Sequence, residues 1–164
     1  MSMALELPKF KNAVTLGVEE LLPHRSPFLF VDKLLSADET GSVGEFTYRP
    51  DTFPYKLDVQ DGGAPVIPGT ILIESMSQVA GAGTVSQGFV GGKDKEAVFA
   101  FAAVESARFH RPVRLGDTLV TVVRNVRLRK PLGIYSLTGY VNGEKVVEAK
   151  VKCMLSERAK AKEA

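Results

Sequence analysis

The stretch Pro65-Val66-Ile67-Pro68-Gly69-Thr70-Ile71-Leu72-Ile73-Glu74-Ser75-Met76-Ser77-Gln78 decides how the chain folds. It opens as a stiff turn. Two prolines fix φ and withhold donors, and Gly69 lets the backbone approach a neighbour closely. A helix is predicted to follow, running to about Gln87. At roughly 18 residues it is about 27 Å long. From Thr70 to Gly92 the one charged residue is Glu74. Apolar side chains (Ile71, Leu72, Ile73, Met76, Val79, Val85) lie nearly all the way round, with Ala80, Gly81, Ala82 and Gly83 between them. A helix without a polar face is buried on most sides, and the small residues predict another backbone packed against it. The apolar runs are short and Ser and Gln recur, so the segment is not a membrane span.

A single carboxylate in such a helix needs a reason. An acid near a helix N-terminus is stabilised by the dipole by about 0.3–1 kcal/mol. A capping box, however, would place the acid at Ile73, one residue before Glu74. Burying an unpaired carboxylate is costly, and functional sites tolerate such costs. Glu74 is therefore read as a functional residue.

Composition narrows the classes. The chain of 164 residues suits one domain with a real core. A hydrophobic fraction of 45% and a charged fraction of 24% are ordinary for a globular protein. A net charge of +2 is too small to argue for nucleic acid, and none is expected as a partner. The one cysteine, Cys153, cannot form an internal disulfide, and no Cys/His cluster has zinc spacing. No charged-then-apolar leader opens the sequence. The expectation is a reduced, cytoplasmic, metal-free protein without a bound cofactor. Residues 1–16 read as loosely held and residues 157–164 as a charged, fraying tail.

Between these ends, Gly17 to Leu22 reads as a short helix stopped by Pro23. Phe28 to Lys33 reads as an apolar, strand-like run. His24 reads as a satisfied structural residue beside Arg25, with a base or ligand role as the alternative. Gly41 to Arg49 alternates as a strand. Residues 50–64 form a loop carrying Asp51, Asp58, Gln60 and Asp61, which delivers the chain to the Pro65 turn and serves either as a site wall or as ordinary surface. Gly88 to Lys95 is a glycine-rich exit from the helix. Ala97 to Phe109, Leu119 to Leu128, Ile134 to Val141 and Lys145 to Leu155 read as four meandering strands. Asn142-Gly143 is a two-residue hairpin signal. In the last strand Val147, Ala149, Val151, Cys153 and Leu155 share one face and Glu148, Lys150 and Lys152 the other, the mark of an antiparallel sheet with one wet face. Cys153 thus reads as core. Such a sheet buries the helix by curling around it.

The order and the residues resemble the hot-dog-fold proteins of the bacterial β-hydroxyacyl-acyl-carrier-protein dehydratase type. Leu22-Pro23-His24-Arg25-Ser26-Pro27-Phe28-Leu29-Phe30-Val31-Asp32 is similar to the family's N-terminal segment. The Pro65–Gln78 stretch is similar to its turn and central helix. Ala107-Arg108-Phe109-His110-Arg111-Pro112-Val113 with Gly116-Asp117 is similar to its third block. The likeness covers roughly residues 18–155. It implies an α+β hot-dog fold, a curled antiparallel sheet wrapped around one long apolar helix, in a single domain.

The resemblance also implies homodimers whose long strands join into one sheet, often assembled further into trimers of dimers. It implies an acyl substrate on the phosphopantetheine of acyl carrier protein, or on coenzyme A, lying in a tunnel at the dimer interface. In the family a histidine abstracts the C2 proton and the helix Glu of the other subunit protonates the departing hydroxyl. The acid maps onto Glu74. The histidine does not map. Counting back without gaps from Pro65 puts its position at Gln60; an insertion would put it at Thr52, before Phe53-Pro54. An amide cannot act as a general base, which leaves Asp61, Asp58 and a relocated His110 as candidates.

Three readings stay open. The first is a dehydratase-like enzyme of fatty-acid or polyketide-type lipid biosynthesis with an altered active site. Glu74 would be its acid, and the helix N-terminus at Pro68 and Gly69 would polarise the thioester carbonyl. The second is a thioesterase using Glu74 and Gln60, an arrangement similar to that of some hot-dog thioesterases. The third is a non-catalytic module that binds acyl chains or carrier protein, or serves as the inactive half of a hetero-complex. Phe99 and Phe101 share a strand face and either line the tunnel or pack on the helix. Arg108, Arg111 and Arg114, with His110, form either a basic patch for an acidic carrier protein or ordinary solvated charge at a strand end.

Overall fold

The computed structural model describes residues 6–51, 62–91 and 95–159. Its elements run β1 (Asn12–Ala13), α1 (Val18–Leu21), β2 (Lys33–Asp38), β3 (Gly41–Thr47), α2 (Gly69–Ser86), β4 (Lys95–Phe109), β5 (Thr118–Arg129), β6 (Leu132–Val141) and β7 (Glu144–Ala159). The strands form one sheet in the order β1-β2-β3-β5-β6-β7-β4, and every neighbouring pair is antiparallel. Helix α2 lies on one face of this sheet and touches β2 through β7. No helix among the described residues is long and apolar enough to cross a membrane.

The predicted punctuation sets the bounds of α2. Pro68 occupies the N-cap position, and its carbonyl accepts the Ile71 and Leu72 amides at 3.0 and 3.2 Å. At the other end Gly88, at φ +70°, sits just past the last turn. Its amide donates to the Val85 carbonyl at 2.8 Å and the Phe89 amide to the Thr84 carbonyl at 3.2 Å. This paired closure is a Schellman motif, which needs a residue at ease with positive φ. The small residues of α2 are closely packed, but against side chains rather than the backbone expected: a Cβ on Gly83 would collide with the Ser42 side chain of β3, and one on Gly44 of β3 would stand 2.9 Å from the Val79 side chain.

Helix α2 is less apolar than expected. Ser75, Gln78 and Thr84 are buried with Leu72, Met76 and Val79. Each is hydrogen-bonded, as burial of a polar group requires: Ser75 Oγ donates to the Phe30 carbonyl at 2.7 Å and Thr84 Oγ1 to the Ala80 carbonyl at 2.8 Å. The Thr84 hydroxyl also lies 3.0 Å from the Tyr135 hydroxyl.

The expected run at Phe28–Lys33 is not a strand; β2 begins where that run ends, at Lys33. Side chains of α2 capture the backbone instead. Gln78 accepts the Phe30 amide at 2.8 Å and donates to the Phe28 carbonyl at 2.9 Å, so these groups are withheld from a ladder. Edge-to-face ring contacts from Phe28 to Phe30, Phe30 to Phe46 and Phe46 to Tyr48, at 5.3, 5.8 and 5.0 Å, tie the segment to the end of β3.

Three further expectations are corrected. The last four strands are not a simple meander, because β4 pairs with β7 and β5 pairs with β3 and β6. Residues before Leu16 are not all loose: β1 pairs with β2, and Phe10 is buried against Val43 and Val122. The strand expected to end at Leu155 continues to Ala159. Glu157, the expected start of the frayed tail, accepts the Gly91 amide at 3.0 Å and pairs with Lys95 and Lys130 at 3.2 and 3.1 Å.

Other patterns hold. Val147, Ala149, Val151, Cys153 and Leu155 are buried on one face of β7. Asn142 and Gly143 turn the β6–β7 hairpin with φ of +50° and +80°, the positive values that a two-residue primed turn demands.

Candidate active site

Glu74 sits on the second turn of α2, and Gln78 lies one turn beyond it on the same face. The Gln78 side-chain nitrogen donates to Glu74 Oε1 at 2.9 Å and to the Phe28 carbonyl at 2.9 Å, while its oxygen accepts the Phe30 amide at 2.8 Å. With three polar links the amide cannot rotate freely, so it fixes one carboxylate oxygen.

His24 approaches from the segment after α1. Its Nε2 lies 3.8 Å from Glu74 Oε1, with the two side chains 26% and 21% exposed. Its Nδ1 is buried with no hydrogen-bond partner among the described residues. The segment is held by Arg25, whose guanidinium donates to the Leu22, His24 and Glu19 carbonyls at 2.9, 2.7 and 3.0 Å. His24 therefore lies beside Arg25, but it is not the satisfied structural residue expected. Arg25 binds its backbone, and the ring faces Glu74.

Glu74, His24, Ser77 and Gln78 supply the polar lining of a cavity of about 50 Å³. Leu22, Phe99, Phe101 and Cys153 supply its apolar wall. That volume holds roughly three or four water molecules, too little for a long acyl chain within one protomer. Burial, and then the charge of Glu74, pushes the Cys153 thiol up to about 11. At neutral pH it is an inert thiol in the wall, in keeping with its core reading.

The structure brings together Glu74, Phe99 and Phe101 of the expected residues. Pro68 and Gly69 do not line this cavity. Gly69 stands about 7.5 Å and Pro68 about 9 Å along the helix axis from Glu74, where a Cβ on Gly69 would be 2.7 Å from the Phe109 ring. Gln60, Asp61 and Asp58 lie outside the described residues. Arg108 is 3.9 Å from Glu148, Arg111 pairs with Glu144, and Arg114 donates to the Ala64 carbonyl at 2.7 Å. His110 faces Glu148 at 3.5 Å and does not line the cavity. Among the described residues no group of three His, Cys, Asp or Glu can hold a metal ion.

Sequence reasoning missed Gln78 and gave His24 a base or ligand role only as the alternative. The four-residue spacing from Glu74 was the available signal for Gln78. For His24 it was the Leu22–Asp32 block itself, which shares the family likeness with the helix that carries Glu74.

An antiparallel sheet, a buried helix with one acid and an apolar cavity at that acid define a hot-dog-fold protein. The model of the FabA-like domain matches residues 22–150, and the chain belongs to that family. It is 33% identical over 145 residues to the 3-hydroxyacyl-[acyl-carrier-protein] dehydratase FabZ of Pectobacterium atrosepticum, covering 85% of this chain and 92% of that one. Among solved structures, the dehydratase heterocomplex ApeI:P from Xenorhabdus doucetiae aligns with a TM-score of 0.72 at 17% identity, over 87% of this chain and 93% of that one. A hypothetical thioesterase with coenzyme A from Streptococcus pneumoniae aligns with a TM-score of 0.56 at 13% identity, over 77% of this chain and 87% of that one. These two structural likenesses concern the fold.

Proposed function

We propose that the chain is a dehydratase acting on 3-hydroxyacyl thioesters presented by acyl carrier protein, in fatty-acid or related lipid synthesis, with Glu74 as the acid. One observation carries the reading: Gln78 fixes Glu74 in the polar lining of a cavity with an apolar wall, in a chain whose curated relatives are such dehydratases. Loss of water needs a proton delivered to the hydroxyl on C3 and one removed from C2. A carboxyl held at the mouth of an apolar wall supplies the first. The first turn of α2, at Pro68 and Gly69, offers its amides to the thioester carbonyl. Arg108, Arg111 and Arg114 lie near that end and give the acidic carrier protein a landing surface.

The active form we propose is a homodimer. Strand β4 is an edge of the sheet, and every residue from Ala100 to Phe109 is exposed. Phe101, Val104 and Phe109 on it are 45%, 48% and 49% exposed. A long apolar edge invites pairing with a second chain. That pairing enlarges a cavity too small for an acyl chain, because Phe99 and Phe101 line it from β4.

The test is mass spectrometry of the protein incubated separately with 3-hydroxyacyl and saturated acyl thioesters on a carrier protein. Loss of one water from the hydroxyacyl substrate is the expected result. Cleavage of either thioester without dehydration would replace this reading with a hydrolase using Glu74 and Gln60. No change in either substrate would leave a binding module.

A further inference from the structure

We propose that His24 is the proton acceptor of this elimination, acting in the same cavity as Glu74 of its own chain. The inference rests on the dehydratase reading and fills the role for which the sequence supplies no residue at the expected position. The chain has two histidines. His110 stands against Glu148 and outside the cavity. His24 lines the cavity, with Nε2 3.8 Å from Glu74 Oε1.

Three features suit His24 to the task. Its Nε2 faces the carboxylate across a gap slightly longer than a hydrogen bond, so neither group is consumed by the other, and both residues line the cavity. Its Nδ1 is buried and has no partner among the described residues, so proton exchange with a ligand belongs to Nε2. Its backbone is fixed on both sides: Arg25 holds the Leu22 and His24 carbonyls, and Gln78 joins Phe28 and Phe30 to the helix that carries Glu74. A base held this firmly relative to its acid meets the positioning demand of the chemistry.

The step balances without a co-reactant. Neutral His24 takes the C2 proton on Nε2, and the C2–H electron pair becomes the second bond between C2 and C3. The C3–O bond breaks, and its oxygen takes the proton of the Glu74 carboxyl and leaves as water. His24 is then an imidazolium facing a carboxylate. At 3.8 Å the two groups do not share a direct hydrogen bond, so the Nε2 proton returns to Glu74 through a water molecule such as the one just formed, which restores both groups.

The experiment compares the unaltered chain with His24→Gln and His24→Ala, each checked for folding by its urea midpoint. Water loss from a 3-hydroxyacyl thioester is assayed with and without added imidazole. Removing a general base typically costs about 10²–10⁴-fold. We expect a loss of at least about a hundredfold in both variants, with part of the His24→Ala activity returning in proportion to free-base imidazole. A structural role for His24 would not produce that rescue. A His24→Gln rate within about threefold of the unaltered chain overturns the inference and leaves the dehydratase reading standing. Loss of activity with no response to imidazole likewise overturns the base role. Absence of water loss from the unaltered chain overturns both readings.

Discussion

Helix α2 has two unlike neighbours in the sheet. Against β3 it is packed to the limit: a Cβ on Gly83 would strike Ser42, and Gly44 leaves no room beneath Val79. Against β4 it is loose. A Cβ on Gly81 would reach Phe99 at 3.4 Å, an ordinary contact, and the cavity opens beside it. Strand β3 is buried along most of its length, whereas β4 is exposed from Ala100 to Phe109. The tight side holds the helix in place, and the loose side keeps Glu74, His24 and the apolar edge available to a substrate and a second chain. Rigidity on one side is what allows a gap on the other, because a close-packed interior transmits position.

The comparison breaks most visibly at Glu74. Glu74→Gln keeps the shape and the bond from Gln78 but removes the acid. We expect dehydration to fall by about 10²–10⁴-fold with an unchanged urea midpoint, read by rate assay and denaturation on the same sample. Next is the tight side. Gly83→Val overpacks the contact with Ser42 and is expected to cost about 1–3 kcal/mol. Gly81→Ala on the loose side is expected to leave stability equal or higher, since Ala favours a helix over Gly by about 1 kcal/mol. Paired urea titrations decide it, and equal losses at both positions would erase the contrast.

Gln78→Ala sharpens the picture by uncoupling the two sides. It removes the buried hydrogen bond from the Phe30 amide to Gln78, which costs about 1–3 kcal/mol, and releases Glu74, so stability and rate should fall together.

The smallest effect is at Glu157 of β7, which pairs with Ala97 near the start of β4. Lys130 beside it, with the Gly91 amide and Lys95, holds its carboxyl below the usual carboxylate range. A depressed folded-state pKa gives a contribution that is present above the unfolded-state value and lost as pH falls through the folded one. Hydrogen exchange of the Gly91 amide should therefore show reduced protection, relative to unfolded-chain reference rates, only below roughly pH 4.3.

What the sequence disclosed follows from the range of the interactions. The bounds of α2 were legible because Pro68 and Gly88 act on their own backbone. The face of β7 and the Asn142-Gly143 turn were legible because alternation and turn chemistry are local. The pairing of β4 with β7 rather than β5 was not, since register between distant strands leaves no local mark. The Phe28–Val31 run misled because its backbone is captured by Ser75 and Gln78, more than forty residues away. Glu74 stood out as a lone charge in an apolar helix. His24 did not, because its meeting with Glu74 exists only after folding.

The most direct measurement runs the reaction backwards. A trans-2-enoyl thioester on carrier protein is incubated with the protein in deuterated water, and the product is analysed by mass spectrometry and NMR. The account predicts a 3-hydroxyacyl thioester with one deuterium on C2, formed by the unaltered chain and at least about a hundredfold more slowly by Glu74→Gln. An unchanged enoyl thioester, or release of a free acid, would contradict it.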